Sequence, residues 1–392
     1  MSIKQIGVVG GGVMGAGIAQ TFSSFDCPVY IQDISDELVR RSIGQVEKIY
    51  LSAIKKGRFT EEQAKRKVSL IKGGTGYEGF DQVDLVIEAV PEKIPIKKEV
   101  FTFLDRICKP DTILATNTSS LSVSLIGTFT SRSNQVIGMH WFNPPHIMKL
   151  VEVIPGIDTS REVVQRTLDL CVWLGKVPVE VKECAGFLVN RLLGIYANEA
   201  LYMLEEQFPP ELIDQAALDL GMPMGPLRLG DMAGWDVIYH ANQSLYEEYG
   251  ARFALPRILP DMIKAGKLGQ KAGDGIYISD KIPSVELVSS DDDRLQDLSN
   301  RLLYVMLNEG IRCLEEGVAS ARDIDLAMQL GTGMPRGPIS WADELGLDVL
   351  FDGLEQLKAQ YGERYRPSPL LRRKVQASHV GIKSGKGLNT SK

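Results

Sequence analysis

The sequence has no stretch close to the ~18 uninterrupted apolar residues that a membrane-spanning helix requires, so no membrane role is expected. Its start, Met1-Ser2-Ile3-Lys4-Gln5, lacks the basic end and longer apolar run of a signal peptide. Cysteines are sparse. Cys27, Cys108, Cys171, Cys184 and Cys313 are odd in number and form no CxxC pair, which argues against a disulfide framework and fits packed, reduced thiols of a cytoplasmic protein. Only 4 histidines occur, too few for a His-rich metal site. Charge of one sign is not abundant either. Lys+Arg number 44 and Asp+Glu 50, a net charge of −6 that suits nucleic acid poorly, although a local basic patch can still take a phosphorylated ligand.

What is present is ordinary globular material: 392 residues, 44% hydrophobic and 24% charged. At about 150 residues per domain, two or three domains with real cores are expected. Residues 3–9 read as a buried strand, followed by glycines and a helix from about Val13 to Ser24. Further strands are expected at Val29–Gln32, Asp84–Glu88, Thr112–Ala115 and Val136–Met139, with helices over 35–57 and Lys97–Cys108 and a turn region at Gly73–Gly76. Strands alternating with helices at this spacing predict an α/β, doubly wound parallel sheet of the Rossmann type.

Near residue 184 the texture becomes helical, and the remainder repeats itself. Asn190-Arg191 recurs as Asn300-Arg301, Asn198-Glu199 as Asn308-Glu309, and Gly225-Pro226 as Gly337-Pro338. Gly269-x-Lys271-x-Gly273-x-Gly275 recurs as Gly381-x-Lys383-x-Gly385-x-Gly387, and the offset stays between 110 and 112. The expected organisation is a sheet domain over 1–184 and two similar all-α domains over 185–280 and 295–392, with a linker around 280–294.

Three motifs carry chemistry. Gly10-Gly11-Gly12-Val13-Met14-Gly15 places a G-x-G-x-x-G between a strand and a helix: Gly10 for the tight turn, Gly12 for close approach of a pyrophosphate, Gly15 for helix–strand packing. Asp33 ends the second strand 18 residues after Gly15, where a carboxylate accepts ribose hydroxyls and repels a 2′-phosphate, favouring NAD over NADP. The second motif is His140-Trp141-Phe142-Asn143-Pro144-Pro145 with Glu152 beyond it. His140 stands at the strand edge where such sheets bind ligands, and is either a structural histidine or a general base; Glu152 could fix its tautomer, and His146 is a competitor. The third, Asn117-Thr118-Ser119-Ser120, suits either a helix cap or substrate hydrogen bonding. Asn190, buried by pattern in a core helix, needs a partner, which a neighbouring helix or a substrate can supply.

Together these segments resemble the L-3-hydroxyacyl-CoA dehydrogenase family along nearly the whole chain: GVVGGGVMGAGIAQ (7–20), EAVPEKIPIKKEVF (88–101), ATNTSSLSV (115–123), GMHWFNPPHIMKLVEV (138–153), AGFLVNRLL (185–193) and MGPLRLGDMAG (224–234). The resemblance implies NAD-dependent oxidation of an L-3-hydroxyacyl-CoA to the 3-ketoacyl-CoA. His140 would be the base and Glu152 its partner, with Ser119 and Asn190 on the substrate oxygens. It further implies cofactor contacts from Gly10, Gly12, Val13, Met14, Gly15, Asp33, Glu92, Lys97, Asn117, Ser119, Asn143 and Lys271, and a coenzyme A contact from Lys56. A serine that the family carries seven positions before Lys56 is Ile49 here, Phe is usual where Trp141 stands, and Val where Pro145 stands.

The doubled helical domain resembles the longer arrangement of multifunctional β-oxidation proteins, and implies that repeat two does what a partner subunit does in short members, leaving a monomer or a homodimer open. In that repeat Arg336 replaces Met224. No enoyl-CoA hydratase segment is recognised, so a separate hydratase or thiolase is a possible partner. Rival readings are a short-chain 3-hydroxybutyryl-CoA enzyme, a sugar-acid dehydrogenase, and a non-catalytic crystallin-like relative.

Overall fold

Short apolar runs build a single sheet. In the computed structural model, which describes residues 3–277 and 293–389, the strands are Ile6–Val9 (β1), Val29–Gln32 (β2), Ile71–Gly74 (β3), Leu85–Glu88 (β4), Ile113–Thr116 (β5), Val136–Trp141 (β6), Leu150–Pro155 (β7) and Val177–Glu180 (β8). Their order is β3-β2-β1-β4-β5-β6-β7-β8. β1, β4 and β5 are buried at every residue, the continuous pattern of strands covered on both faces. The helices of this part are Val13–Ser24 (α1), Asp36–Lys55 (α2), Glu61–Ser69 (α3), Ile94–Ile107 (α4), Val123–Gly127 (α5) and Arg161–Trp173 (α6). β1 is flanked by β2 on one side and β4 on the other. Chain order reverses there, and a ligand crevice opens beyond the carboxyl ends of the strands.

Two sequence expectations need correction. The turn region at Gly73–Gly76 begins inside a strand, because β3 extends to Gly74; it follows α3, which a Thr60–Gln63 capping box starts. The sheet is also not wholly parallel, since β7 runs antiparallel to β6 and β8 runs parallel to β7. The cause is connection length. Only residues 142–149 join β6 to β7, fewer than the dozen or so that a parallel crossover needs. This reversal sets His140 directly opposite Glu152.

The chain divides into two compact units, Met1–Glu183 and Cys184–Lys392. The second is helical, with no named strand among the described residues. Its helices run Val189–Glu205 (α7), Pro210–Asp219 (α8), Pro226–Ala233 (α9), Trp235–Tyr249 (α10) and Ile258–Lys264 (α11), and then the series repeats as Asp293–Glu315 (α12), Ala321–Thr332 (α13), Pro338–Leu345 (α14), Leu347–Tyr361 (α15) and Pro369–Gln376 (α16). Both repeats lie within this one unit. The linker expected over 280–294 falls, as far as residue 292, outside the described residues. Among the described residues no helix is long and apolar enough to cross a membrane.

Each repeat is tied by the same devices. Asp231 accepts from the Trp235 indole at 2.6 Å and from the amides of Ile276 and Tyr277 at 3.0 and 2.8 Å. Asp343 accepts from the Leu388 and Asn389 amides at 2.8 and 2.9 Å. α7 packs against α12, and the ion pairs between the repeats are reciprocal. Arg191 donates to Glu309 at 2.7 Å, and Arg301 to Glu199 at 2.9 Å. The two arginines lie 4.2 Å over the Tyr249 ring and 4.1 Å over the Tyr361 ring. A surface that meets its own copy in this way has the logic of a two-fold interface, built here within one chain.

Candidate active site

At the crest of β1 the chain makes the turn that the glycines foretell. Gly10 has φ +92°, and a Cβ there would lie 2.7 Å from the Ala89 carbonyl oxygen. A Cβ on Gly15 would meet the Gly10 oxygen at 1.9 Å, so α1 and β1 approach too closely for any side chain. Gly12 has nothing within 4 Å of such an atom, and α1 starts there without a side-chain cap. Its first N–H groups are therefore the natural seat of an anion. Gly10, Gly12, Val13 and Asp33 all line a cleft of about 840 Å³ with Ile34, Tyr77, Val90 and Phe103. Met14 is half-buried and packs on the core.

Asp33 accepts from the Gly11 amide at 2.8 Å and from its neighbour Ile34 at 2.7 Å. The carboxylate thus holds the glycine turn and places negative charge in the cleft, which opposes a 2′-phosphate. The open face of Gly12, the uncapped helix start and Asp33 fit a dinucleotide: Gly10–Gly15 would hold the pyrophosphate and Asp33 the ribose.

Beside the cleft lies a network whose central residue the sequence did not single out. Glu88, fully buried at the end of β4, accepts from Lys97 Nζ at 2.8 and 2.9 Å, from the Thr116 hydroxyl at 2.7 Å and from the Val90 amide at 2.8 Å. Lys97 is 1% exposed and also pairs with Glu92 at 3.1 Å. Lys97, for which a cofactor contact is expected, thus has its ammonium between two carboxylates. Glu92 in turn accepts from the Ser119 amide at 3.0 Å, the Ser120 amide at 3.3 Å and the Thr118 hydroxyl. Burial would raise the Glu92 carboxyl, but Lys97, Thr118 and Ser119 outweigh it and hold the group below its ordinary range.

This network places the Asn117–Ser120 segment. Thr118 accepts from the Leu121 amide at 2.9 Å, and Ser122 accepts from Leu125 at 3.0 Å as the cap of α5. The α5 cap is Ser122, beyond the segment, Thr118 closes the turn before it, and Ser119 is exposed on the loop. Asn117 takes the Trp141 amide at 3.0 Å and so ties the end of β5 to the end of β6.

One step along β6, His140 is 7% exposed and its Nδ1 lies 2.7 Å from Glu152 Oε2, a carboxylate with no exposure at all. A carboxylate on Nδ1 fixes the proton there in the neutral ring. The Phe142 ring sits 4.5 Å from the imidazole, and Asn143 is exposed on the loop that follows. His146 is the weaker candidate. Its Nδ1 is buried without a hydrogen-bond partner, and burial together with Lys176, Lys56 and Arg58 pushes its pKa down. It lines a separate cavity of about 350 Å³ that also holds Lys56, Ile49, Arg58, Lys149 and Lys176 and no carboxylate.

Two expected site residues belong to the helical unit. Asn190, the second residue of α7, is half-buried rather than buried as the pattern suggested. Lys271 stands in the glycine-rich turn after α11 with its ammonium paired to Asp236, and Lys383 pairs in the same way with Asp348 at 2.6 Å. The same pairing therefore occurs in both repeats, at Lys271, for which a cofactor contact is expected, and at Lys383.

Comparison with known proteins agrees with this anatomy. The model of the 3-hydroxyacyl-CoA dehydrogenase NAD binding domain matches residues 5–184, and that of the family's C-terminal domain matches twice, over 186–279 and 298–391. The fatty acid oxidation complex subunit alpha of Vibrio cholerae is 37% identical over 380 residues, covering 93% of this chain and 54% of the relative, so the chain spans about half the length of the curated relatives it matches. A crystal structure of 3-hydroxybutyryl-CoA dehydrogenase from Escherichia coli superimposes with a TM-score of 0.89 at 32% identity, covering 96% of this chain and 99% of that one. The (S)-3-hydroxybutyryl-CoA dehydrogenase of Ralstonia eutropha gives a TM-score of 0.69 at 38% identity over 71% of this chain and 99% of its own.

Proposed function

Because the chain belongs to the 3-hydroxyacyl-CoA dehydrogenase family and carries its NAD-binding domain, we propose that it interconverts an L-3-hydroxyacyl-CoA and the corresponding 3-ketoacyl-CoA, in fatty-acid β-oxidation or its reverse. The observation that carries the reading is the 2.7 Å contact between His140 Nδ1 and the buried Glu152. His140 takes the proton of the substrate 3-hydroxyl on Nε2 as C3 is oxidised, and Glu152 stabilises the imidazolium that forms. Ser119, placed by Glu92, donates to the same oxygen. NAD, when bound, supplies the acceptor for the hydride that leaves C3. Lys56 and its basic neighbours offer the charge that the phosphates of coenzyme A require, and the resemblance assigns Asn190 a further substrate contact, which Asn190→Ala tests. Three domains over 1–184, 185–280 and 295–392, with repeat two in the place of a partner subunit, complete the reading; a separate hydratase or thiolase would hand substrate on.

A short-chain preference is the second reading, favoured by the overlay on a protein named for 3-hydroxybutyryl-CoA. NADH consumption with acetoacetyl-CoA, a longer 3-ketoacyl-CoA and a coenzyme-A-free keto acid tests both. Turnover of the thioesters alone supports the family chemistry and their ratio ranks chain length. Turnover of the free acid alone overturns it.

A further inference from the structure

Lys176 takes no part in the chemistry above. It lies between α6 and β8, is 8% exposed, and pairs with no carboxylate among the described residues. Its Nζ instead donates to two backbone carbonyls, Pro145 O at 2.5 Å and Met148 O at 2.8 Å, and lies 5.5 Å from the centre of the Trp141 ring. An ammonium is strongly hydrated, and burying one without a counter-ion is costly. Both carbonyls belong to the loop 142–149 between β6 and β7. The first residue of that loop, Phe142, lies against the His140 imidazole. Its middle is seated on α1, where a Cβ on Gly17 would come within 2.9 Å of the Pro145 ring. Its far end is a turn in which the Ile147 and Met148 amides both donate to Pro144 O at 3.0 Å.

We infer that Lys176 is a positioning residue: its ammonium locks the loop 142–149 between α1 and the His140 ring, and so holds the base in register with the dinucleotide cleft. The catalytic half of this inference rests on the proposed function; the mechanical half does not. The lock is also sensitive to pH. Burial pushes the Lys176 pKa down to about 8, with Cys171 pulling weakly the other way. The groups that face it are Cys171 on α6, His146 in the loop, Lys56 and Arg58 just after α2, and Lys149 before β7. None is a carboxylate, so nothing there restrains the proton. Above about pH 8 the ammonium becomes an amine, the two bonds lose their charge assistance, and the loop slackens.

The test uses the full chain with Lys176→Met and Lys176→Arg. Amide hydrogen exchange over 142–149 is expected to accelerate about tenfold or more in Lys176→Met, with kcat for NAD-dependent oxidation of 3-hydroxybutyryl-CoA, the direction in which His140 accepts rather than supplies the proton, falling by a similar factor and NAD affinity unchanged. In Lys176→Arg, which stays charged, the fall in rate expected of the wild type above about pH 8 moves out of range. Exchange and kcat both at wild-type values in Lys176→Met, or an alkaline limb that persists in Lys176→Arg, overturn the inference. Should Lys176→Met fail to fold, the pH profiles of wild type and Lys176→Arg decide it. Should the wild type turn over no thioester, the function fails on its own while the exchange result still decides the lock.

Discussion

Buried charge occurs in both units, and its arrangement separates chemistry from architecture. In the sheet unit the buried groups gather along one edge of the sheet: His140 near the end of β6 on Glu152 of the antiparallel β7, and Glu88 at the end of β4 gathering Lys97 of α4 and Thr116. The Glu88 cluster adjoins Ala89, Val90 and Pro91, which line the cleft. In the helical unit the charges are duplicated and point inward. Arg191 on Glu309 is answered by Arg301 on Glu199, and the second carboxylates, Glu316 and Glu206, stand at 2.7 and 2.6 Å from those arginines. A pair that occurs twice about a pseudo-two-fold axis fastens one repeat to the other. A pair that occurs once, at a strand end, is where chemistry is expected.

The largest effect should come from the side of this comparison that is not duplicated. His140→Gln removes the proposed base and is expected to lower kcat about 10²–10⁴-fold while NAD binding and the melting temperature stay put, as measured by steady-state rates and thermal unfolding. Arg301→Met does the opposite. It takes one cation from buried Glu199, which keeps Arg364 at 3.2 Å and the Tyr365 hydroxyl, and so should cost less than the ~3–5 kcal/mol of a fully unpaired buried charge in a denaturant titration, yet the folded fraction should turn over normally. Asp33→Ala lies between the two. Loss of its hydrogen bonds to charged oxygen should weaken NAD about 10- to 100-fold and relax discrimination against NADP, read from Kd for each nucleotide. Lys271→Met and Lys383→Met sharpen the comparison at its small end. Both break a half-exposed pair, and each should cost about 0.2–1 kcal/mol; a loss of NAD affinity from Lys271→Met alone would assign that residue to the cofactor. Acid unfolding gives a fifth measurement. The Glu92 carboxyl is depressed in the fold, so its stabilisation is complete above its ordinary pKa of 4.5 and drains away as pH falls through the lower folded value. The stability gap between wild type and Glu92→Gln should therefore close on acidification.

Much of this anatomy was legible in the sequence, for identifiable reasons. Gly10, Gly12 and Gly15 announce themselves because a turn, an open face and a close contact each demand a residue without a Cβ. The repeat is legible because its offset scarcely varies. The His140–Glu152 pair was recognisable by resemblance, but its geometry was not, since the antiparallel β7 is buried at five consecutive residues and shows no alternation to mark it. Glu88 and Lys176 escaped notice for another reason. A charged residue at a strand end looks solvent-facing until the partners that bury it, Lys97 and Thr116 for one and two backbone carbonyls for the other, are seen in place. Asn190 erred in the opposite direction, because helical periodicity assigns a face but not the depth of burial at a helix start.

The central claim is that turnover resides in the single dyad and not in the duplicated pairs. Its most direct test is kcat for acetoacetyl-CoA reduction by NADH in His140→Gln and Arg301→Met, each measured below its melting temperature. The account predicts a loss of about 10²–10⁴-fold in the first and the wild-type rate in the second. A His140→Gln enzyme that still turns over, or a folded Arg301→Met enzyme that does not, would contradict it.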